Sequence, residues 1–198
     1  MVWKFALASS RTKANLQALV DILVPRLFAV VRSSDIPTTL RTSSLSLLST
    51  CVNTFPLAML GYVEDLSSAM IDLLQIESAT LAHDSETKTK TPSEKGSALL
   101  EGDERQTMDS SPTSKNPKFP PLRRAAIHFL SVLIQVATKQ LYDQPGTDTS
   151  MFFSRVLVDR LRITLGYISS TDIDNVVRLM AREATEGLKE LRQAVLEI

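Results

Sequence analysis

Apolar residues recur at steps of three and four along most of this 198-residue chain. That spacing places them on one face of an α-helix, whereas strict alternation would indicate a strand. The sequence therefore predicts an all-α fold, with helices over 12–32, 40–55, 60–76, 122–141 and 151–168, and a last helix that starts near 172 and runs to the C-terminus.

Three local signals set the expected helix boundaries. Pro25 should end or kink the first helix near its middle, because proline lacks the amide hydrogen and clashes with the preceding turn. Pro56 should end the second helix. Thr171 is predicted to cap the last helix, with Asp174 three residues later completing an imperfect capping box.

A polar stretch, residues 77–118, divides the chain. It is dominated by Ser, Thr, Asp, Glu, Lys, Gly and Pro and has no sustained apolar period. Such a segment buries too little apolar surface to offset the entropy of ordering it, so we expect a long disordered insertion. The predicted organisation is helices over 12–76, the insertion over 77–118, and helices with a C-terminal capping helix over 119–198.

The two halves contain similar segments. Leu40 to Leu48 reads LRTSSLSLL and Leu122 to Leu130 reads LRRAAIHFL, and a second amphipathic helix follows each. Without the insertion, each unit is about as long as a HEAT or armadillo repeat, roughly 40–47 residues. We therefore expect a HEAT/armadillo-like α-solenoid of antiparallel helix hairpins, in which each unit buries its apolar face against its neighbours.

The spacing of charged residues adds to this expectation. Asp35 lies six residues before Arg41, a spacing that resembles the Asp and Arg of HEAT units, whereas Pro117 stands at the matching position before Arg123. The first helix looks like the second half of a unit. The sequence is therefore expected to be the C-terminal part of a longer solenoid or a shortened gene model.

Composition narrows the class of function. The 22 basic residues equal the 22 acidic residues, which argues against a nucleic-acid binder, because such proteins show a basic excess. One cysteine allows no intrachain disulfide, as is usual in a reducing compartment. No segment has about 20 mostly apolar residues, so no membrane insertion is expected. These features favour a cytoplasmic protein.

The sequence shows little that points to catalysis. His83 and His128, the two histidines, have no Cys or His at metal-ligand spacing, and there is no glycine-rich phosphate loop. A Cys51–His128 nucleophilic pair is an alternative, but Cys51 lies in an apolar pattern typical of a buried thiol. We expect no enzyme activity, no metal and no cofactor.

Charged residues on the predicted helices are the candidates for partner binding. Arg155, Asp159 and Arg162 lie on the predicted helix that starts at Met151. In HEAT stacks the second helix of a pair usually lines the concave face. Arg123 and Arg124 are further candidates, as ladder or interface residues. The alternative is a solvated face with local ion pairs, which contribute little stability.

Three segments carry a resemblance to a known family. They are LRTSSLSLLSTC from Leu40, LRRAAIHFLSVLIQ from Leu122 and DIDNVVRLMAREATEGLKEL from Asp172. The first two are similar to the paired C-terminal motifs, and the third to the final helix, of the family required for nuclear transport of RNA polymerase II. Its animal members are called transport and Golgi organisation protein six. The resemblance spans residues 14–76 and 122–195.

The resemblance implies a HEAT-repeat adaptor that is cytoplasmic and shuttles to the nucleus. Its implied partners are RNA polymerase II subunits and transport or assembly factors, and its implied role is polymerase assembly and nuclear import. Two alternatives remain: a trafficking factor in protein secretion and Golgi organisation, and a truncated solenoid without independent function. The chain departs from the family in lacking the long N-terminal solenoid and in carrying the insertion.

Thr91 and Ser111 each precede a proline within the insertion. One hypothesis is proline-directed phosphorylation at both, with each phosphate adding about −1.5 to −2 charge. The alternative is that the insertion is an inert spacer. Mass spectrometry of the protein purified from its native host should find both phosphopeptides. Peptides that cover both sites and are consistently unmodified would contradict the prediction.

Overall fold

A computed structural model of the protein describes residues 2–86, 121–143 and 153–196, and within these ranges it contains helices and no strand. The predicted all-α class is confirmed. The helices are α1 (Val2–Arg32), α2 (Thr38–Thr54), α3 (Pro56–Met59), a 3₁₀ turn (Leu60–Tyr62), α4 (Val63–Glu86), α5 (Pro121–Asp143), α6 (Arg155–Thr171) and α7 (Asn175–Leu196).

Several boundaries differ from the prediction, and α1 begins at Val2, ten residues before its predicted start. Pro25 lies inside α1, which continues to Arg32. Val24 and Val31, on either side of it, are fully buried, and this packing offsets the local cost of proline. Helix α4 continues to Glu86, so residues 77–86 are helical rather than part of the insertion. The rest of the predicted insertion, with Thr91 and Ser111, lies outside the described residues.

The helices pack in a consistent order. Helix α5 contacts both α2 and α7, so these three form one row. Helix α4 contacts α6, and α1 contacts α2. Three hydrogen bonds show the relative direction of α4 and α6: Ser154 donates to Glu64, Arg160 donates to Asp72, and Gln75 donates to Thr164. Because the residue numbers rise together along both helices, α4 and α6 run parallel.

One apolar core joins the helices. Phe129 of α5 is fully buried in this cluster, which also contains Leu45 of α2, Leu74 of α4 and Leu165 of α6. Full burial of such a side chain contributes about 1.5–3 kcal/mol to stability. Small residues in the row, Ala126, Ala181 and Ala184, are also buried. Short side chains at these positions allow close approach of the helices.

The predicted N-cap of α7, Thr171, is wrong. Thr171 is the last residue of α6, and its hydroxyl donates to the Tyr167 carbonyl. The cap of α7 is Asp174, whose Oδ1 accepts from the amides of Val176 at 2.7 Å and Val177 at 3.3 Å. Burial alone raises the pKa of Asp174, but hydrogen bonds from Arg124 and these two amides outweigh it and lower the pKa below 3.8.

We predict that Asp174→Ala lowers the free energy of unfolding by about 1 kcal/mol, the usual effect of removing an N-cap. The lowered pKa means that this contribution is present above pH 4 and is lost as the pH falls through the folded-state pKa. Urea unfolding followed by circular dichroism at pH 7 and pH 3 measures both effects. Thr171→Ala is the control, and equal losses in the two variants would contradict the assignment.

Candidate protein-binding surface on α6

Helix α6 is anchored along one flank by polar contacts to α4. The Arg160 guanidinium donates to Ser68 and to Asp72, each at 2.9 Å. The Ser154 hydroxyl accepts from the Leu157 amide and so caps the first turn, while it also donates to Glu64. These contacts hold α6 at a defined register against α4, so its outer residues occupy fixed positions.

The predicted residues Arg155, Asp159 and Arg162 lie on this outer part of α6. Steps of four and three place them on one helix face, and all three are exposed. Asp159 and Arg162 form a marginal ion pair at 3.9 Å with more than half of each side chain exposed. Such a pair contributes little to stability, so these charges remain available to a partner.

A second, apolar stripe on α6 was missed by sequence reasoning. Val156, Ile163 and Tyr167 are 71%, 64% and 55% exposed. Steps of seven and four put them on one face, which also contains Arg160 and therefore runs along the edge beside α4. The sequence signal was present as a second apolar period, offset by one or two residues from the buried face of Leu157, Leu161 and Leu165.

We call the two stripes together the α6 surface: Arg155, Val156, Asp159, Arg162, Ile163 and Tyr167. Exposed apolar side chains that are clustered and flanked by charges are typical of protein interaction sites. Tyrosine and arginine are enriched in such sites because each combines a large contact area with a polar group. The arrangement is suited to protein binding.

Arg123 does not belong to a partner-binding surface, and its prediction as an interface residue is corrected. Only 3% of its side chain is exposed. Its Nε and Nη2 donate to the two carboxylate oxygens of Asp172 at 2.9 and 3.1 Å. This two-point ion pair is internal and joins the start of α5 to the α6–α7 turn. Its role as a ladder residue remains compatible with this geometry.

Arg124 contacts the same α6–α7 turn from the solvent side. Its Nη2 donates to Asp174, and 44% of its side chain is exposed. Asp172 also accepts from the Asp174 amide at 2.9 Å. The two arginines predicted for binding therefore connect α5 to two aspartates of one turn, which residue spacing alone does not reveal.

Two features bear on catalysis. Cys51 is half-buried, and burial raises the pKa of its thiol. This shift disfavours the thiolate, which is the reactive form, and so opposes the Cys51–His128 alternative. Among the described residues, no cluster of three His, Cys, Asp or Glu side chains is placed to hold a metal ion.

Comparison of the chain with protein-family models, with curated proteins and with solved structures found no match. Within the described ranges, no helix combines the length and apolar character needed to cross a membrane.

The buried ion pair generates a stability prediction. Arg123→Met leaves the Asp172 carboxylate buried without its charge partner, and we expect a loss of about 3–5 kcal/mol in the free energy of unfolding. Arg124→Met removes a half-exposed pair and should cost about 1 kcal/mol or less. Chemical denaturation of both variants tests the contrast. Equal and small losses would show that the Arg123 pair is not a structural constraint.

Proposed function

We propose that this protein is a non-enzymatic scaffold that binds other proteins through the α6 surface. The observation that carries the proposal is the exposed apolar stripe of Val156, Ile163 and Tyr167, flanked by charged residues on a helix held in place by α4. A soluble partner that covers this stripe removes apolar area from water, which is the dominant favourable contribution to protein association.

We further propose that the architecture is a short α-solenoid of the HEAT or armadillo type. The continuous row of α2, α5 and α7 and the parallel pair α4 and α6 support this, because repeated hairpins stack like helix on like helix. The LR pairs at Leu40 and Leu122 occupy the starts of α2 and α5, two neighbours in that row. In such a stack the outer faces of α4 and α6 form one extended binding surface.

The partner class follows from the family resemblance. We propose a role in RNA polymerase II assembly and nuclear import, with polymerase subunits or transport and assembly factors as partners, and a cytoplasmic protein that shuttles to the nucleus. The support is the order and spacing of the three similar segments. Those segments include Arg123 and Asp172, whose internal contact stabilises the helices that carry them.

Affinity capture with two variants tests the proposal. The double variant Ile163→Glu, Tyr167→Glu places charges in the apolar stripe, while Leu179→Glu is a matched control at an exposed leucine of α7. The unmodified chain and the control should retain RNA polymerase II subunits, identified by mass spectrometry, and the double variant should lose at least tenfold, or about 1.4 kcal/mol.

Two outcomes would contradict the proposal. Recovery of no polymerase subunit or transport factor by the unmodified chain would remove the polymerase role. Golgi disruption on depletion of the protein, with the nuclear location of the polymerase unchanged, would favour the secretion alternative. Circular dichroism melts of both variants confirm that each remains folded.

A further inference from the structure

The row of α2, α5 and α7 ends on an exposed face of α2, where two leucines lie among Ser43, Thr50 and Thr54. Leu40 and Leu47 are 56% and 54% exposed. They lie seven residues apart, on one face of the helix. Exposed leucines are individually common, so the question is whether this pair occupies positions at which the fold normally packs a helix.

The positions of α5 and α7 that align with Leu40 and Leu47 show how this face is packed elsewhere in the row. Alignment of Arg41 with Arg123 places Leu40 and Leu47 at the positions of Leu122 and Phe129 in α5. Both of those residues are buried. The corresponding positions in α7, found by aligning Asp35 with Asp172, are Val177 and Ala184. These are also buried, at 0% and 2% exposure. Among the residues that the structure describes, no helix packs against this face of α2.

Helix α1 extends the same face. Leu19 and Leu23 are 55% and 36% exposed. Asp21, which accepts from the Tyr62 hydroxyl at 2.7 Å, marks the side of α1 that faces the α3–α4 region. At about 100° per residue, Leu19 and Leu23 point to the opposite side. Arg41 donates to the Val31 carbonyl, and in the antiparallel α1–α2 hairpin this register places Leu47 level with Pro25, two residues from Leu23.

Asp35 supplies the polar half of the face. It lies in the α1–α2 turn at the position that Asp172 holds in the α6–α7 turn. Asp172 is paired with Arg123, which comes from the helix packed against that hairpin. Asp35 is exposed and accepts only a 3.5 Å contact from Ser34. Within the described parts of the chain, no lysine or arginine forms an ion pair with it.

We propose that the face formed by Leu19, Leu23, Leu40, Leu47 and Asp35 binds an amphipathic α-helix of a partner protein, and that this helix carries an arginine beside its apolar stripe. The helix lies parallel to α2, and its arginine pairs with Asp35 as Arg123 pairs with Asp172. We call this the α1–α2 face. It is separate from the α6 surface and does not depend on the function proposed for that surface.

A second copy of this chain is a poorer occupant. The other end of the row is α7, and its outward positions are Arg182, Glu186 and Lys189 together with one leucine, Leu179, all exposed. The corresponding positions in α2, which face inward, are Leu45, Ser49 and Val52, all buried. Burial of the charged α7 side chains against the α1–α2 face would desolvate them without partners. A helix with an apolar stripe avoids that cost.

The test uses a synthetic peptide with the sequence of α5, residues 121–143, because α5 is the helix that packs on the equivalent α6–α7 hairpin. The 198-residue chain, labelled at leucine and valine methyl groups, is titrated with the peptide. We expect the methyl signals of Leu40 and Leu47 to shift, while those of Leu179 on α7 do not. Fluorescence anisotropy of the labelled peptide measures the affinity.

Variants then separate the apolar and charged contributions. Leu47→Asp should weaken peptide binding at least tenfold, and Asp35→Asn about tenfold, whereas Leu179→Asp is the matched control and should leave affinity unchanged. A peptide with Arg123→Asp should bind the unmodified protein poorly. The same peptide should recover affinity for the Asp35→Arg protein, which a purely structural role of Asp35 does not predict.

Three results would overturn the proposal: no peptide binding, binding that is insensitive to Leu47→Asp and Asp35→Asn, or failure of the charge exchange to recover affinity. Self-association of the unmodified protein that Leu47→Asp abolishes, measured by sedimentation, would identify a second copy as the occupant instead. Because both residues are exposed, these variants should keep the melting temperature of the unmodified chain.

Discussion

The ion pair between Arg123 and Asp172 is the polar contact on which the arrangement of the C-terminal helices depends. It is almost fully buried and makes two hydrogen bonds. Loss of either partner would leave the other charge buried and unpaired, so the pair favours the position of α5 at which the two side chains meet. Apolar packing stabilises many relative positions of two helices, whereas a two-point ion pair specifies one.

The α6–α7 turn makes one ion pair inside the protein and a second one at its surface. Asp172 receives Arg123 inside the protein, while Asp174, two residues later, caps α7 and receives Arg124 from outside. The same turn therefore joins α5 to α6 and α7 and sets the register of the row. The α6 surface depends on it indirectly, because α6 is held between this turn and the contacts of Arg160 with α4.

The row of helices is asymmetric. At α7 the outward side is mostly charged, with Leu179 as its one exposed leucine, so this end is suited to solvent. At α1 and α2 the outward side carries four exposed leucines among serine and threonine residues, with an aspartate beside them. The outward side of α2 carries Leu40 and Leu47, whereas the outward side of α7 carries Arg182, Glu186 and Lys189. This asymmetry is the physical basis for assigning helix binding to one end only.

Helical periodicity and the repeated LR segments could be read directly, so the all-α class, the number of long helices and most of their bounds were predictable. Errors arose where distant packing outweighs a local signal. Pro25 does not end α1, because Val24 and Val31 are buried around it, and Asp174 rather than Thr171 caps α7. The same holds for the candidate binding residues. Arg155, Asp159 and Arg162 are exposed, as the helical pattern predicted, whereas Arg123 is buried by its contact with a distant turn.

The amino-acid sequence by itself determined which residues form helices and which face of each is apolar, because helix geometry relates spacing to direction without reference to the rest of the chain. Only the tertiary structure decided which apolar faces are covered. Leu40 and Leu122 begin similar segments, yet one is exposed and the other buried. The reason is physical: burial depends on whether another helix lies against that face, and the pattern within a helix carries no information about its neighbours.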